Sequence, residues 1–160
     1  MEAAAPQPSF SPWEQLRLGR RIVEHEGAAL VQLGRRLDRE FCRAVECIYR
    51  CRGSVIVSGM GKAGLVGQKV AATLASTDTR AHFLHPAEAV HGDLGRVCAD
   101  DVVLVLSQSG KTAEIVRILP SLADFGVPII AVTGSRESPL GRAAAVVIEL
   151  GHLAEACPLG

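Results

Sequence analysis

The stretch Val102-Val103-Leu104-Val105-Leu106-Ser107-Gln108-Ser109-Gly110-Lys111-Thr112 decides how this chain folds. Its first five residues are apolar, three of them β-branched, as in a strand buried on both faces of a parallel sheet. Hydroxyls and an amide then crowd around one glycine, where the strand must turn into a helix. That helix shows an apolar face at Ile115, Ile118, Leu119 and Leu122. A strand that ends in hydroxyls at a helix N-terminus makes an anion site, because free N–H groups and the positive end of the helix dipole point outward there. The hydroxyls can donate to phosphate oxygens without adding fixed charge. An ordinary Ser/Thr helix cap is the plainer alternative.

Working outward, strands alternate with helices. Ser54–Ser58 reads as a strand, followed by a Gly-rich turn and a helix over about 63–76. A short strand covers about 81–84, and the segment 85–95 reads as a loop. After the strand at 102–106 and a helix at 112–124 come a strand at 128–132 ending in Thr133-Gly134, a short helix opened by Ser138-Pro139, and a fifth strand at 146–150. This alternation means an α/β fold: a three-layer α/β/α sandwich around a five-stranded parallel sheet of flavodoxin-like order 2-1-3-4-5. Ligands then sit at the carboxyl ends of the strands, near the switch between strands 1 and 3. Two helices precede the sheet, at about 12–33 and 36–51, with Gly34 as a candidate break. Ser11, Pro12 and Glu14 supply a capping box for the first. Residues 1–10 read as a flexible tail.

The chain has 160 residues, 48% apolar, and 17 basic side chains balance 17 acidic ones. Its length suits one domain with a real core. Neutrality gives no electrostatic reason to expect a nucleic-acid or membrane partner. No apolar run approaches the ~20 residues of a membrane span, and no secretory signal is visible. Cytoplasmic residence is therefore expected. Cys42, Cys47, Cys51, Cys98 and Cys157 form no CxxC pair and read as reduced, packed thiols.

Gly59-Met60-Gly61-Lys62-Ala63-Gly64 matches the GxGxxG fingerprint of dinucleotide sites. That fingerprint wants an acidic residue closing the next strand; here the strand closes on His85. The turn is not a Walker P-loop either, since Ala63 follows the Gly-Lys pair. Its functional reading places Lys62 as a cation at the mouth of the crevice, facing an anionic sugar or enediolate; its plain reading is a tight turn with a surface lysine. Gly59, Gly61 and His85 read as pocket residues. His85 and His91, six apart, are weak evidence for a metal, and neither a metal nor a cofactor is expected. Glu114 sits in the first turn of a helix, where the dipole favours it, and Glu155 follows the fifth strand.

Taken together, Gly59-Met60-Gly61-Lys62, His85-Pro86-Ala87-Glu88-Ala89, His91-Gly92-Asp93-Leu94-Gly95, Ser107-Gln108-Ser109-Gly110 and Glu155-Ala156-Cys157-Pro158-Leu159-Gly160 resemble the sugar isomerase (SIS) domain, and more narrowly the D-arabinose-5-phosphate isomerase family. The likeness runs in order and spacing over about residues 10–160. It implies that Ser107, Gln108, Ser109 and Thr112 bind a sugar phosphate, and that Lys62, Glu114, Glu155 and His91 serve catalysis. It also implies interconversion of D-arabinose 5-phosphate and D-ribulose 5-phosphate through an enediol, a place in carbohydrate metabolism toward Kdo and lipopolysaccharide, and a homo-oligomer, tetramer or dimer, with shared sites. Lys111 departs from the family pattern, which often has Glu there, and adds a cation beside the loop. Family members continue beyond the position of Gly160 with a further histidine segment and, in most, a CBS pair. Residues 11–160 therefore read as a C-terminally incomplete SIS domain, expected to self-associate and turn over slowly. The rival readings are a non-catalytic phosphosugar-binding regulatory module and a nicotinamide enzyme.

Overall fold

The computed structural model describes residues 10–151. The elements run α1 (Pro12–Arg36), α2 (Arg39–Tyr49), β1 (Val55–Gly59), α3 (Gly61–Ala75), β2 (Ala81–Phe83), α4 (Pro86–Val90), a 3-10 turn (Asp93–Arg96), β3 (Val102–Ser107), α5 (Ala113–Asp124), β4 (Ile129–Thr133), α6 (Pro139–Ala143) and β5 (Val146–Glu149). They fall into two compact units that divide between Arg35 and Arg36.

The first unit is α1 up to Arg35. Its start is the expected capping box. The Ser11 backbone N–H donates to Glu14 Oε2 at 2.8 Å, and the Glu14 N–H donates to Ser11 Oγ at 3.3 Å. The N–H bond from Ser11 holds the Glu14 carboxyl below the usual carboxylate range. The helix does not break at Gly34, as the sequence suggested, but runs to Arg36. A glycine inside a helix costs only about 1 kcal/mol against alanine, so it need not end one. What starts the next helix is Asp38, in extended conformation, whose carboxylate accepts the Glu40 N–H at 2.8 Å.

The second unit is a five-stranded, all-parallel sheet in the order β2-β1-β3-β4-β5, as the alternation predicted. Alternate strand residues feed opposite faces. On one face Ile56, Val103, Val105, Ala131 and Val147 pack with Ile115, Ile118 and Leu122 of α5 and Leu140 of α6. On the other, Val55, Val57, Leu104 and Ile130 pack with Ala44 of α2 and Ala71 of α3. The pairing sets Gly59 opposite Leu106 and Ser107 opposite Thr133, so the turns leaving β1, β3 and β4 emerge side by side.

Among the described residues β5 is an outer strand of the sheet, and two side chains bond to its backbone. Glu40 accepts the Val147 N–H at 3.4 Å, and Arg43 donates to the Ala145 carbonyl at 3.2 Å. Polar capping of this kind blunts an edge that would otherwise pair with another chain. The expectation of packed thiols holds for half-buried Cys47 and Cys51. It fails for Cys42, which lies on the outer side of α2, and for Cys98; both are exposed. Cys157 lies outside the described residues. Among the described residues no helix is long and apolar enough to cross a membrane.

His82 is the one side chain among the described residues with a buried polar atom lacking a partner, Nε2. Burial pushes its imidazole below the ordinary value; Arg96 adds to the shift and Asp101 opposes it. The folded value is the lower one, so the unfolded chain binds the proton first. Stability is intact above the unfolded value of about 6.5 and is lost as pH falls through it toward the folded value. The melting temperature should therefore start to drop as pH falls through about 6.5, and His82→Leu should flatten that drop. A substituted chain with the same pH slope as the parent would show that His82 is not the group responsible.

Candidate active site

The turn after β3 is a small, fully braced structure. Gly110 adopts φ +61, in the left-handed region. Ser107 is buried, and its Oγ accepts the Gly110 N–H at 3.2 Å and lies 3.0 Å from Thr112 Oγ1. Thr112 occupies the N-cap position of α5, yet its side chain makes no capping bond. The plainer reading of this stretch as a Ser/Thr cap therefore does not describe it. Ser109 Oγ accepts the Lys111 N–H at 3.2 Å, which leaves its own hydrogen free to donate.

Behind the turn stands the end of β4. The Gly134 N–H donates to the Gln108 carbonyl at 2.8 Å, and the Leu140 N–H to the Gly110 carbonyl at 3.1 Å. Ser138 Oγ accepts the Gly141 N–H at 3.1 Å and packs where a Cβ on Gly110 would stand.

Beside it, Met60 caps α3 in extended conformation and Gly61 takes φ +55. A Cβ on Gly64 would lie 2.7 Å from the Gly59 carbonyl oxygen. These glycines let strand and helix approach closely, and Lys62 is left exposed in the first turn of α3. The two helix N-termini thus open on one cleft of about 720 Å³, lined by Met60, Lys62, Ser107, Gln108, Ser109 and Thr112, with Ser135 and Gly151 across from them.

Five of the residues singled out in the sequence therefore meet: Lys62, Ser107, Gln108, Ser109 and Thr112. Gly59 and Gly61 shape the turn that carries Lys62. Among the described residues, His85, His91 and Glu114 do not line this cleft. His85 caps α4, its Nδ1 accepting the Ala87 N–H at 3.3 Å, and its ring meets Phe83 edge-on. The segment 85–95 is thus not a plain loop: Pro86 at the first helical position starts a short helix, which His91 ends, exposed. Glu114 is half-buried in the first turn of α5, and Glu155 lies outside the described residues. No group of three or more potential metal ligands gathers among the described residues. The sequence reading missed Met60, Ser135 and Gly151. The signal for Ser135 was present in Thr133-Gly134-Ser135, small residues directly after a strand at the same sheet edge.

The family model of the SIS domain matches residues 48–157. The chain belongs to the SIS domain family. Among curated relatives of this SIS domain, arabinose 5-phosphate isomerase GutQ of Salmonella typhi is 49% identical over 144 residues, covering 90% of this chain and 45% of the relative. Arabinose 5-phosphate isomerase KdsD of Pseudomonas aeruginosa is 50% identical over 139 residues, covering 87% and 43%. The chain thus spans less than half the length of these relatives. A solved structure of E. coli CFT073 c3406 in complex with A5P superposes with a TM-score of 0.90 at 38% identity, covering 94% of this chain and 80% of that one.

Proposed function

We propose that this SIS domain binds a pentose phosphate and belongs to an aldose–ketose isomerase that interconverts D-arabinose 5-phosphate and D-ribulose 5-phosphate. The observation that carries the reading is the cleft itself. Lys62, at the start of α3, and the hydroxyls of Ser107, Ser109 and Thr112, at the start of α5, line the same cleft. The relatives' names point the same way.

The hydroxyl chain can be polarised in one direction. Gly110 N–H donates to Ser107, Ser107 donates to Thr112, and Thr112 is then left with a hydrogen for an anion. Ser109 offers a second one, and the backbone N–H groups opening α5 offer more. The phosphate is therefore proposed to sit over Ser109 and Thr112, with Ser107 shaping the turn from beneath. With the phosphate anchored, the sugar carbons extend toward Lys62.

The reaction moves one proton between adjacent carbons. A base takes the hydrogen from C2 of the aldose, the electron pair forms the enediolate with its charge on O1, a proton passes from O2 to O1, and a proton returns at C1 as the C2–O2 carbonyl forms, which gives the ketose. Lys62 is proposed to stabilise the enediolate oxygen, which needs a donor where charge develops. Glu155 and Glu114 are the carboxylates proposed for the proton transfer, and His91 is proposed as a further catalytic group. Cytoplasmic residence and assembly into a homo-oligomer belong to the same reading.

Ser109→Ala and Thr112→Ala should each weaken affinity for arabinose 5-phosphate by roughly 1–3 kcal/mol, the worth of a hydrogen bond to a charged group. Calorimetry reads this directly. Unchanged affinity in both variants would remove the phosphate from this turn.

A further inference from the structure

We propose that Gln108 is a positioning residue whose side chain couples the phosphate turn to the exit of β5. The proposal rests on the phosphate-binding reading of that turn. At its main-chain end, the Gln108 carbonyl accepts the Gly134 N–H at 2.8 Å and the Thr133 hydroxyl at 3.5 Å, so it is fixed to the end of β4. At its far end, Nε2 donates to the Gly151 carbonyl at 3.0 Å. A single residue thus ties the end of β3 to the ends of both following strands.

The exit of β5 is built to receive this tie. Gly151 takes φ +70, in the left-handed region. The carbonyl before it, on Leu150, accepts the Arg36 guanidinium at 2.7 Å, and the Leu150 N–H donates to the Thr133 carbonyl at 2.8 Å. A Cβ on Gly151 would fall 1.9 Å from Arg36 Nη1, so the guanidinium occupies the space that only glycine leaves open. Two consecutive carbonyls are therefore held by two side chains arriving from different elements. Thr133 touches both the Gln108 carbonyl and Leu150, which closes the network into a loop.

An exposed glutamine with a free end would pass nothing on. With both ends held, ordering of the turn by an anion limits the motion of Gly151 as well, and restricted motion at one site is felt at the other. A direct phosphate ligand would behave differently: its removal lowers affinity for the anion.

The test uses inorganic phosphate as the probe and amide hydrogen exchange at Leu150 and Gly151 as the readout, with calorimetry in parallel. In the parent chain, phosphate should slow exchange there about fivefold or more. In Gln108→Met, which keeps the length but loses the donor, this protection should disappear even at phosphate concentrations that saturate the variant. Gln108→Asn keeps an amide one carbon too short to reach and should behave the same way. Protection retained in both variants would overturn the proposal. So would a fall in affinity to match Ser109→Ala, which would make Gln108 a ligand. If Ser109→Ala itself bound phosphate as the parent does, the phosphate reading would fall, and the proposal with it. Loss of affinity in Ser109→Ala with protection intact in Gln108→Met would overturn the proposal alone.

Discussion

Gly110→Ala is expected to cost about 2–5 kcal/mol of folding stability, from strain at a left-handed backbone and from overpacking. It should also weaken phosphate binding at least about tenfold, because the turn can no longer hold its donors in place. The residue sits at φ +61, which L side chains rarely adopt. Its new methyl would stand 2.1 Å from Ser138 Oγ and 2.7 Å from Thr133 Oγ1. Neither neighbour can yield cheaply. Both are buried, and Ser138 is committed to the Gly141 N–H at the start of α6. Relief must come from the turn itself, and moving it breaks the Gly110 N–H bond to Ser107. Urea unfolding and phosphate calorimetry on the same preparation check both effects. A variant that lost stability but kept full phosphate affinity would show that the turn's shape is not what binds the anion.

Lys62→Ala is expected to slow isomerisation about 10²–10³-fold, the usual cost of removing one donor to a developing oxyanion. It should leave the melting temperature unchanged. The side chain is exposed at the start of α3, so its removal opens no cavity. Under the proposed role of Lys62 at the enediolate oxygen, the loss should appear mainly in kcat, with KM little changed. Wild-type turnover in this variant would make Lys62 an ordinary surface residue of a tight turn.

The sheet was legible because its evidence is local. Val102–Leu106 and its neighbouring runs are too apolar and too short for anything but buried parallel strands, and alternation with amphipathic helices leaves little freedom in their order. Where the sequence misled, a competing local preference won. Gly34 looks like a stop, but a helix ends where the next capping residue takes over, and that residue is Asp38. The segment 85–95 looks irregular because its helix has five residues, too few to show a period, although Pro86 marked its start.

In the site, Lys62 and the serine turn were legible because each follows a strand whose partner is fixed by topology. The engagement of Gln108 with Gly151 was not, since it joins residues 43 positions apart through one side-chain torsion path. Ser107 was read as a phosphate ligand. The structure sets it buried in the turn, its Oγ accepting the Gly110 N–H and lying 3.0 Å from Thr112 Oγ1, a bracing that only the packed structure could reveal.

The central claim is that this cleft handles a sugar phosphate for proton transfer between adjacent carbons. The most direct measurement is incubation of the protein with arabinose 5-phosphate in D2O, followed by proton NMR. A proton passing through an enediol exchanges with solvent, and even slow turnover accumulates over hours. The account predicts gradual loss of the C2 proton signal, with ribulose 5-phosphate appearing and carrying deuterium at C1, and marked slowing of both in Lys62→Ala. Arabinose 5-phosphate that binds yet keeps its C2 proton, with no ketose formed, would contradict it.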